Sequence, residues 1–251
     1  MFWAHSILFK SSLRFTLEGI YKKHNNYPVS ELTGVSLANS GNDYGSIGSE
    51  KLLSIGKGET YGVELYVQQK LIDRLFYVAS YSYIRSKFSG LDGILFPSSW
   101  DTRHLFSTTV GYKLPKQWDI GIKYRFAGGA PYTPFDMGLS RQNYVTRGTG
   151  ELDYSQLNSL RLSAYSQLDL RIDKRINFRN TSLNLYLDLQ NILMQEDQNN
   201  PKFTFERNEQ NDGFRTTDGE ELQSDGSNGI PFILNTSSGN LLPSIGFSFE
   251  F

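Results

Sequence analysis

Leu241-Leu242-Pro243-Ser244-Ile245-Gly246-Phe247-Ser248-Phe249-Glu250-Phe251 closes the chain. In a strand, successive side chains point to opposite faces. Ile245, Phe247, Phe249 and Phe251 therefore share one face, and Ser244, Gly246, Ser248 and Glu250 share the other. One face suits lipid and the other water. Chain termini are usually exposed and poorly ordered unless an element ties them down. Three phenylalanines on the last five residues imply that the final residue itself is docked.

Working back from the C-terminus, the same period-2 pattern returns about nine times, each run near the roughly 9 to 11 residues of a tilted membrane strand. The clearest is Trp118 to Phe126, whose even positions are apolar or aromatic and whose odd positions include Asp119, Lys123 and Arg125. Leu183 to Gln190 sets four leucines on one face, and Leu168 to Asp173 sets three aliphatics opposite charges. Leu13 to Glu18, Tyr61 to Gln68, Tyr77 to Tyr83 and Phe106 to Leu114 follow the same rule, and a further strand is expected before Lys10.

A soluble β-sandwich also alternates, so the connections decide. They are short at Lys10-Ser11, Ile72 to Arg74, Pro115 to Gln117 and Phe178 to Thr181. They are long at Lys22 to Gly58, Phe88 to Thr102, Ala127 to Ala164 and Met194 to Asn240. Tight turns at one rim and long polar loops at the other are the plan of an antiparallel transmembrane β-barrel with periplasmic turns and extracellular loops. The chain then reads as one barrel segment over residues 1–251, with the C-terminus at the periplasmic rim. Tyr21, Tyr83, Tyr112, Trp118 and Phe126 fall near strand ends, where interfacial aromatic girdles lie.

Composition closes off other classes. Apolar residues make up 38% and mean hydropathy is −0.42, with no stretch near the roughly 18 unbroken apolar residues of a membrane helix. A net charge of −1 gives no field of the kind that draws a chain to nucleic acid. Zero cysteines remove disulfide and thiolate chemistry. Met1 to Ser6 lacks a basic region and a long apolar run, so no signal peptide is recognised there.

Nine strands is an odd number, whereas bacterial single-chain barrels have even counts. An open sheet in lipid leaves backbone groups unsatisfied at several kcal/mol each, roughly. Either Phe203-Thr204-Phe205 conceals an extra strand, or the chain is the tail of a larger barrel.

The runs also carry signatures in order: Tyr61-Gly62-Val63-Glu64-Leu65, Pro97 with Trp100-Asp101-Thr102-Arg103-His104, and Gly128-Gly129-Ala130-Pro131-Tyr132-Thr133. Tyr165-Ser166-Gln167-Leu168-Asp169-Leu170-Arg171, Leu187 to Ile192 and the closing Leu242 to Phe251 follow. Together they resemble the C-terminal half of a TonB-dependent outer-membrane receptor, in a style similar to receptors of the Bacteroidetes type. The resemblance implies a 22-strand barrel around an N-terminal plug and energy-coupled uptake of an iron chelate, cobalamin or an oligosaccharide. No plug or TonB-contacting segment is recognised, so the chain reads as a truncated or split receptor. Its expected partners are outer-membrane lipid, the barrel assembly machinery, the missing plug and barrel portion, TonB through that portion, and an unidentified nutrient. The alternative is a small autonomous barrel of about ten strands acting as a passive pore or adhesin.

Candidate residues follow from that frame. Asp119, Lys123, Arg125, Asp169, Arg171, Asp173 and Arg175 fall on the polar strand face, where the resemblance implies docking of the plug and simple physics allows a solvated ladder of ion pairs. Trp100, Arg103, His104, Phe135, Tyr144 and Tyr154 are candidates for an extracellular ligand mouth, among loop aromatics that also include Tyr27, Tyr44 and Phe96. Phe247, Phe249 and Phe251 are the expected assembly signal. Ser98, Ser99, Asp101 and His104 lie close in sequence, but a rim hydrolase needs mutual hydrogen-bond geometry; pairing of Asp101 and Arg103 with neighbours at a strand entrance is the expectation. No enzyme, cofactor or metal site is read: the acidic stretch Glu206 to Asn228 lacks the spacing of a calcium loop and is expected to be a flexible acidic loop.

Overall fold

A computed structural model describes residues 2–10, 12–40 and 48–251. Tyr44 and the turn residue Ser11 lie outside them. In chain order the elements are β1 (Phe2–Lys10), β2 (Leu13–Ser30), the short helix α1 (Leu37–Ser40), β3 (Leu52–Ile72), β4 (Leu75–Ser89), β5 (Leu95–Pro97), β6 (Arg103–Leu114) and β7 (Trp118–Ala127). They continue with β8 (Pro131–Tyr132), α2 (Met137–Arg147), β9 (Leu160–Arg161), β10 (Tyr165–Asn177), β11 (Ser182–Gln190), β12 (Asp197–Gln198), β13 (Lys202–Phe205), β14 (Pro231–Leu234), β15 (Ser237–Ser238) and β16 (Leu242–Glu250). No helix among the described residues is long and apolar enough to cross a membrane.

Nine strands form one antiparallel wall in the order β1-β2-β3-β4-β6-β7-β10-β11-β16, with β5 added beside β4. The wall is open: β1 and β16 each pair on one side only. Each tight connection has a local cause. Ile72 faces Leu75 across Asp73 and Arg74, whose φ values of 47° and 73° give the two-residue turn that matches strand twist. Pro115 opens the next turn, with Lys116 and Gln117 at φ 58° and 64°.

The register fixes the faces. Leu185 faces Phe247, Leu183 faces Phe249 and Leu187 faces Ile245. Ile122 faces both Val110 and Leu170. This apolar face stays open: Ile245 is 86% exposed and Phe247 73%. No second sheet among the described residues covers it. The buried apolar core lies among the long connections instead, at Val29, Val35, Ala38, Phe88, Leu157, Phe203 and Phe205. That inverts the layout of a sandwich, whose core lies between the faces of its sheets.

Several expectations need correction. β2 and β3 run well past the expected ends, paired to Ser30↔Leu52 through a bulge at His24 and Tyr27, so the first long connection covers 31–51 and not 22–58. The connection over 128–164 holds α2, capped by Asp136 accepting from Leu139 N at 2.9 Å and closed by Gly148 at φ 69°. Phe203-Thr204-Phe205 is a strand, but it pairs with β14 inside a loop and adds nothing to the wall. The stretch 206–228 is laced together around the 4%-exposed Asn228, which donates to Asp218 at 3.0 Å and to the Glu221 carbonyl at 2.9 Å. Phe251 lies one residue beyond β16 and is fully exposed, so the strand is docked through β11 and its last residue is not.

On the polar face, Tyr186 lies over Gly246, where a Cβ would overlap its ring, and Arg171 stacks on that ring at 4.2 Å. Gly246→Val is therefore expected to push Tyr186 off Arg171 at a cost of about 1–3 kcal/mol. Adding Tyr186→Ala should recover part of that loss. Thermal unfolding midpoints of the two single variants and the double variant check it, and strict additivity would refute the contact.

Candidate functional site

The four long connections lie at one end of the wall, and two buried polar groups knot the first three of them together. The first is Asp101, 1% exposed, in the stretch between β5 and β6. Its carboxylate accepts from Ser86 N at 2.8 Å, Arg85 Nε at 3.2 Å and the Arg161 guanidinium at 2.6 Å. Arg161 also donates to the carbonyls of Asp101 and Gly129. Burial pulls the Arg161 guanidinium below its ordinary pKa, and its hydrogen bond to Asp101 opposes that shift. β4, the approach to β6, and β9 are thereby tied together. Gly129 makes this possible, since a Cβ there would overlap the Leu162 carbonyl oxygen.

The second knot is Asn158, 5% exposed and at φ 52°, a left-handed conformation that asparagine tolerates. Its amide donates to the carbonyls of Asn39 and Pro97, both at 2.8 Å, and its backbone N–H donates to Thr133 Oγ1 at 3.0 Å. Asn39 in turn donates to the carbonyls of Phe96 and Pro97 at 3.1 and 2.8 Å. Both donations come from the same nitrogen, which fixes the orientation of the amide. Asn39 Oδ1 is left buried with no hydrogen-bond partner.

Two cavities open at this junction. The smaller, about 260 Å³, has Ser99, Tyr132, Phe135, Tyr154 and Asn158 among its walls. The larger, about 1240 Å³, follows β13 from Asn199 to Arg207 and reaches Tyr144, Phe232 and Leu234. Asn200 and Pro201 border both. Beneath the larger cavity Phe203, Phe205, Tyr144 and Phe214 pack edge to face, with Tyr144 centred 5.2 Å from Phe205 and its hydroxyl 2.9 Å from Thr204 Oγ1.

The polar face forms a separate surface. Register aligns Asp119 with Asp173, Lys123 with Asp169, and Arg171 with Gly121. Arg171 pairs with Asp173 at 2.9 Å, Arg175 with Glu250 at 2.8 Å, and Arg125 with Asp169 at 3.5 Å. A groove of about 450 Å³ runs beside these charges where Gly121 thins the wall, while the ring of Phe76 fills the space over Gly111.

The structure thus brings all seven expected polar-face residues onto one surface and divides the expected mouth residues. Phe135, Tyr144 and Tyr154 border the two cavities. Trp100 is 52% exposed, with its ring 6.1 Å from Phe88. Arg103 lies 4.0 Å from Asp101. His104 is on the apolar face, where its Nδ1 is 2.8 Å from Tyr81 Oη and its ring is 5.0 Å from Tyr83. No hydrogen bond among the described residues joins it to Ser98, Ser99 or Asp101. Asn39, Asn158, Arg85 and Arg161 were not anticipated, because each acts through partners distant in sequence. No local pattern marks any of the four.

The model of the family described as TonB dependent receptor-like, beta-barrel, matches residues 5–192, well over half of the chain. The chain belongs to that family, whose members are outer-membrane receptors and transporters, not enzymes. Among solved structures it is similar to the ferric-catecholate import receptor Fiu from E. coli K12 in its closed form, at 15% identity and a TM-score of 0.50, covering 96% of this chain and 26% of that one. It is also similar to the siderophore receptor PiuA from Acinetobacter baumannii, at 13% identity and a TM-score of 0.53, covering 98% of this chain and 27% of that one. These likenesses concern the fold, and the chain spans about a quarter of either receptor. No curated protein matches.

Removing one member of a buried ion cluster leaves the others uncompensated, at about 3–5 kcal/mol. Asp101→Ala is expected to lose that much, read as a lower unfolding midpoint together with faster protease cleavage between 128 and 164. Unchanged loop cleavage would show that Asp101 does not tie the loops.

Acid should loosen the connection over 206–228. The Glu220 backbone N–H and the Asn228 amide hold the Asp218 carboxyl below its ordinary value. A depressed folded-state pKa contributes stability that is fully present above the ordinary value, about 3.9. That contribution is lost as pH falls through the lower folded value. Amide hydrogen exchange at 217–229 should therefore rise below about pH 4, beyond the intrinsic pH trend and more than exchange in β10. Asp218→Asn should reduce the pH dependence and leave the share of Asp225, whose carboxyl Ser227 also holds below its ordinary value.

Proposed function

We propose that this chain supplies nine consecutive strands of a TonB-dependent transporter barrel, of the Bacteroidetes style its ordered motifs resemble, and that the barrel imports a large nutrient across the outer membrane. The observation that carries the reading is the open wall. Nine strands in up-and-down order leave β1 and β16 pointing the same way. They cannot close on each other in antiparallel fashion, and a second copy in the same membrane orientation meets the same obstacle. An odd number of strands from a preceding portion of the receptor satisfies both edges and removes backbone groups that would otherwise cost several kcal/mol each in lipid, roughly. The even total matches the rule for bacterial barrels.

In this reading β16 ends at the periplasmic rim, where Phe247, Phe249 and Phe251 present the apolar terminal face to the assembly machinery. The four long connections face outward. The polar face lines the lumen, and its groove beside Lys123, Asp169 and Arg171 receives a plug, through which TonB acts. Most of its charges already pair within the wall, so the plug meets a neutralised surface with Lys123 available for docking. Iron chelates, cobalamin and oligosaccharides are the nutrient classes; two solved neighbours of the same fold are described as ferric-catecholate and siderophore receptors.

The test is closure. Expressed alone and directed to the outer membrane, the 251-residue chain should give no heat-modifiable, protease-resistant species. Together with the preceding strands it should. A compact, heat-modifiable barrel from the chain alone would overturn the reading in favour of an autonomous pore.

A further inference from the structure

Every long connection contributes to the smaller cavity: Asn39 from the first, Ser99 from the second, Tyr132 and Tyr154 from the third, and Asn200 from the fourth. No lining residue carries a charge among the described residues. At about 260 Å³ it is smaller than the roughly 300–1,000 Å³ of a drug-sized site. Single-ring occupants fit that size.

Resting on the transporter reading, we propose that this cavity binds one uncharged, hydroxyl-rich ring of a neutral glycan, with the rest of the glycan passing Asn200 and Pro201 into the larger cavity.

Three features select that chemistry. An anionic chelate would be desolvated here with no countercharge, a costly arrangement for a buried ion. Partial burial, with Glu151 and Glu50 nearby, pushes the Tyr154 phenol up, and the same carboxylates disfavour an anion. The walls combine aromatic surface at Tyr132, Phe135 and Tyr154 with hydrogen-bonding groups. Among the described residues the hydroxyls of Tyr132 and Tyr154 and the amide of Asn200 have no hydrogen-bond partner, whereas those of Ser99, Thr133 and Asn158 are engaged in holding the loops. Aromatic faces accept the C–H side of a sugar ring, and the free donors and acceptors match its hydroxyls. The Asn158 knot builds the walls before any ligand arrives, which limits the ordering cost of binding.

The experiment uses the chain in its outer-membrane assembly, extracted in mild detergent. It is applied to an array of neutral glucose-, mannose-, galactose- and xylose-based oligosaccharides with sulfated and sialylated counterparts. A soluble ferric tris-catecholate is titrated separately by fluorescence quenching. Binding to at least one neutral oligosaccharide is expected, weakened roughly tenfold by Tyr154→Ala and a few-fold by Tyr132→Phe. Protease resistance of 128–164 verifies that both variants keep the loop junction. Binding to no neutral glycan, binding that both variants leave unchanged, or preference for the charged probes would overturn the proposal. These outcomes leave the transporter reading standing if the closed, heat-modifiable barrel is obtained, and failure of closure is scored independently of the array.

Discussion

The backbone hydrogen-bond ladder is the constraint from which the rest follows. In hydrocarbon no water is available to a bare N–H or C=O, so a spanning sheet must pair every strand on both sides. Antiparallel pairing at period 2 then forces the segregation seen here: Leu183, Leu185 and Leu187 go to the face of Ile245, Phe247 and Phe249, and Asn184, Tyr186 and Asp188 go to the face of Ser244, Gly246 and Ser248. A slip of one residue would exchange the two faces entirely. Register, lipid exposure and the placement of charge are one decision.

Because no second layer among the described residues covers the wall, it has no interior of its own, and buried apolar residues collect where the strands outrun the membrane. β2 and β3 rise into the loop region. There Phe88 meets Tyr27 at 4.5 Å and His24 at 5.0 Å, and Phe203 and Phe205 build a second cluster. The long connections thus act as a small globular cap with a core and buried polar knots. Asp101 joins two arginines in a setting where the full desolvation cost is met by several hydrogen bonds at once, as a buried carboxylate requires.

Much of the wall was legible in the sequence. All eight alternating runs are strands, as is the segment expected before Lys10, and the alternation of short and long connections sets their order, because both signals are local and repeat. The ends of β2 and β3 were not legible: past Tyr21 the residues turn polar on both faces once the strands leave lipid, so alternation fades although pairing continues. α2 did carry readable marks, Asp136 before its first turn and Gly148 after its last, hidden in a stretch read only for polarity. Phe203-Thr204-Phe205 showed a strand but not its partner. The roles of Asn158 and Arg161 depend on contacts some 60 to 119 residues away in sequence, and no local pattern encodes those. His104 looked like loop chemistry because of Asp101 and Arg103 beside it, but strand parity sends it to the face of Tyr81 and Tyr83.

The reach of the Asn158 knot bears on how the molecule comes together. Wall hairpins such as β3–β4 and β6–β7 close across turns of a few residues, so the entropy lost in each closure is small and pairing can proceed as a zipper. The bond from Asn158 to the Asn39 carbonyl closes a loop 119 residues apart in sequence. It becomes inexpensive only after β3, β4, β6 and β7 have brought the ends together. The loop cap is therefore the late event in folding: it forms on a finished wall, and strand pairing does not have to wait for it.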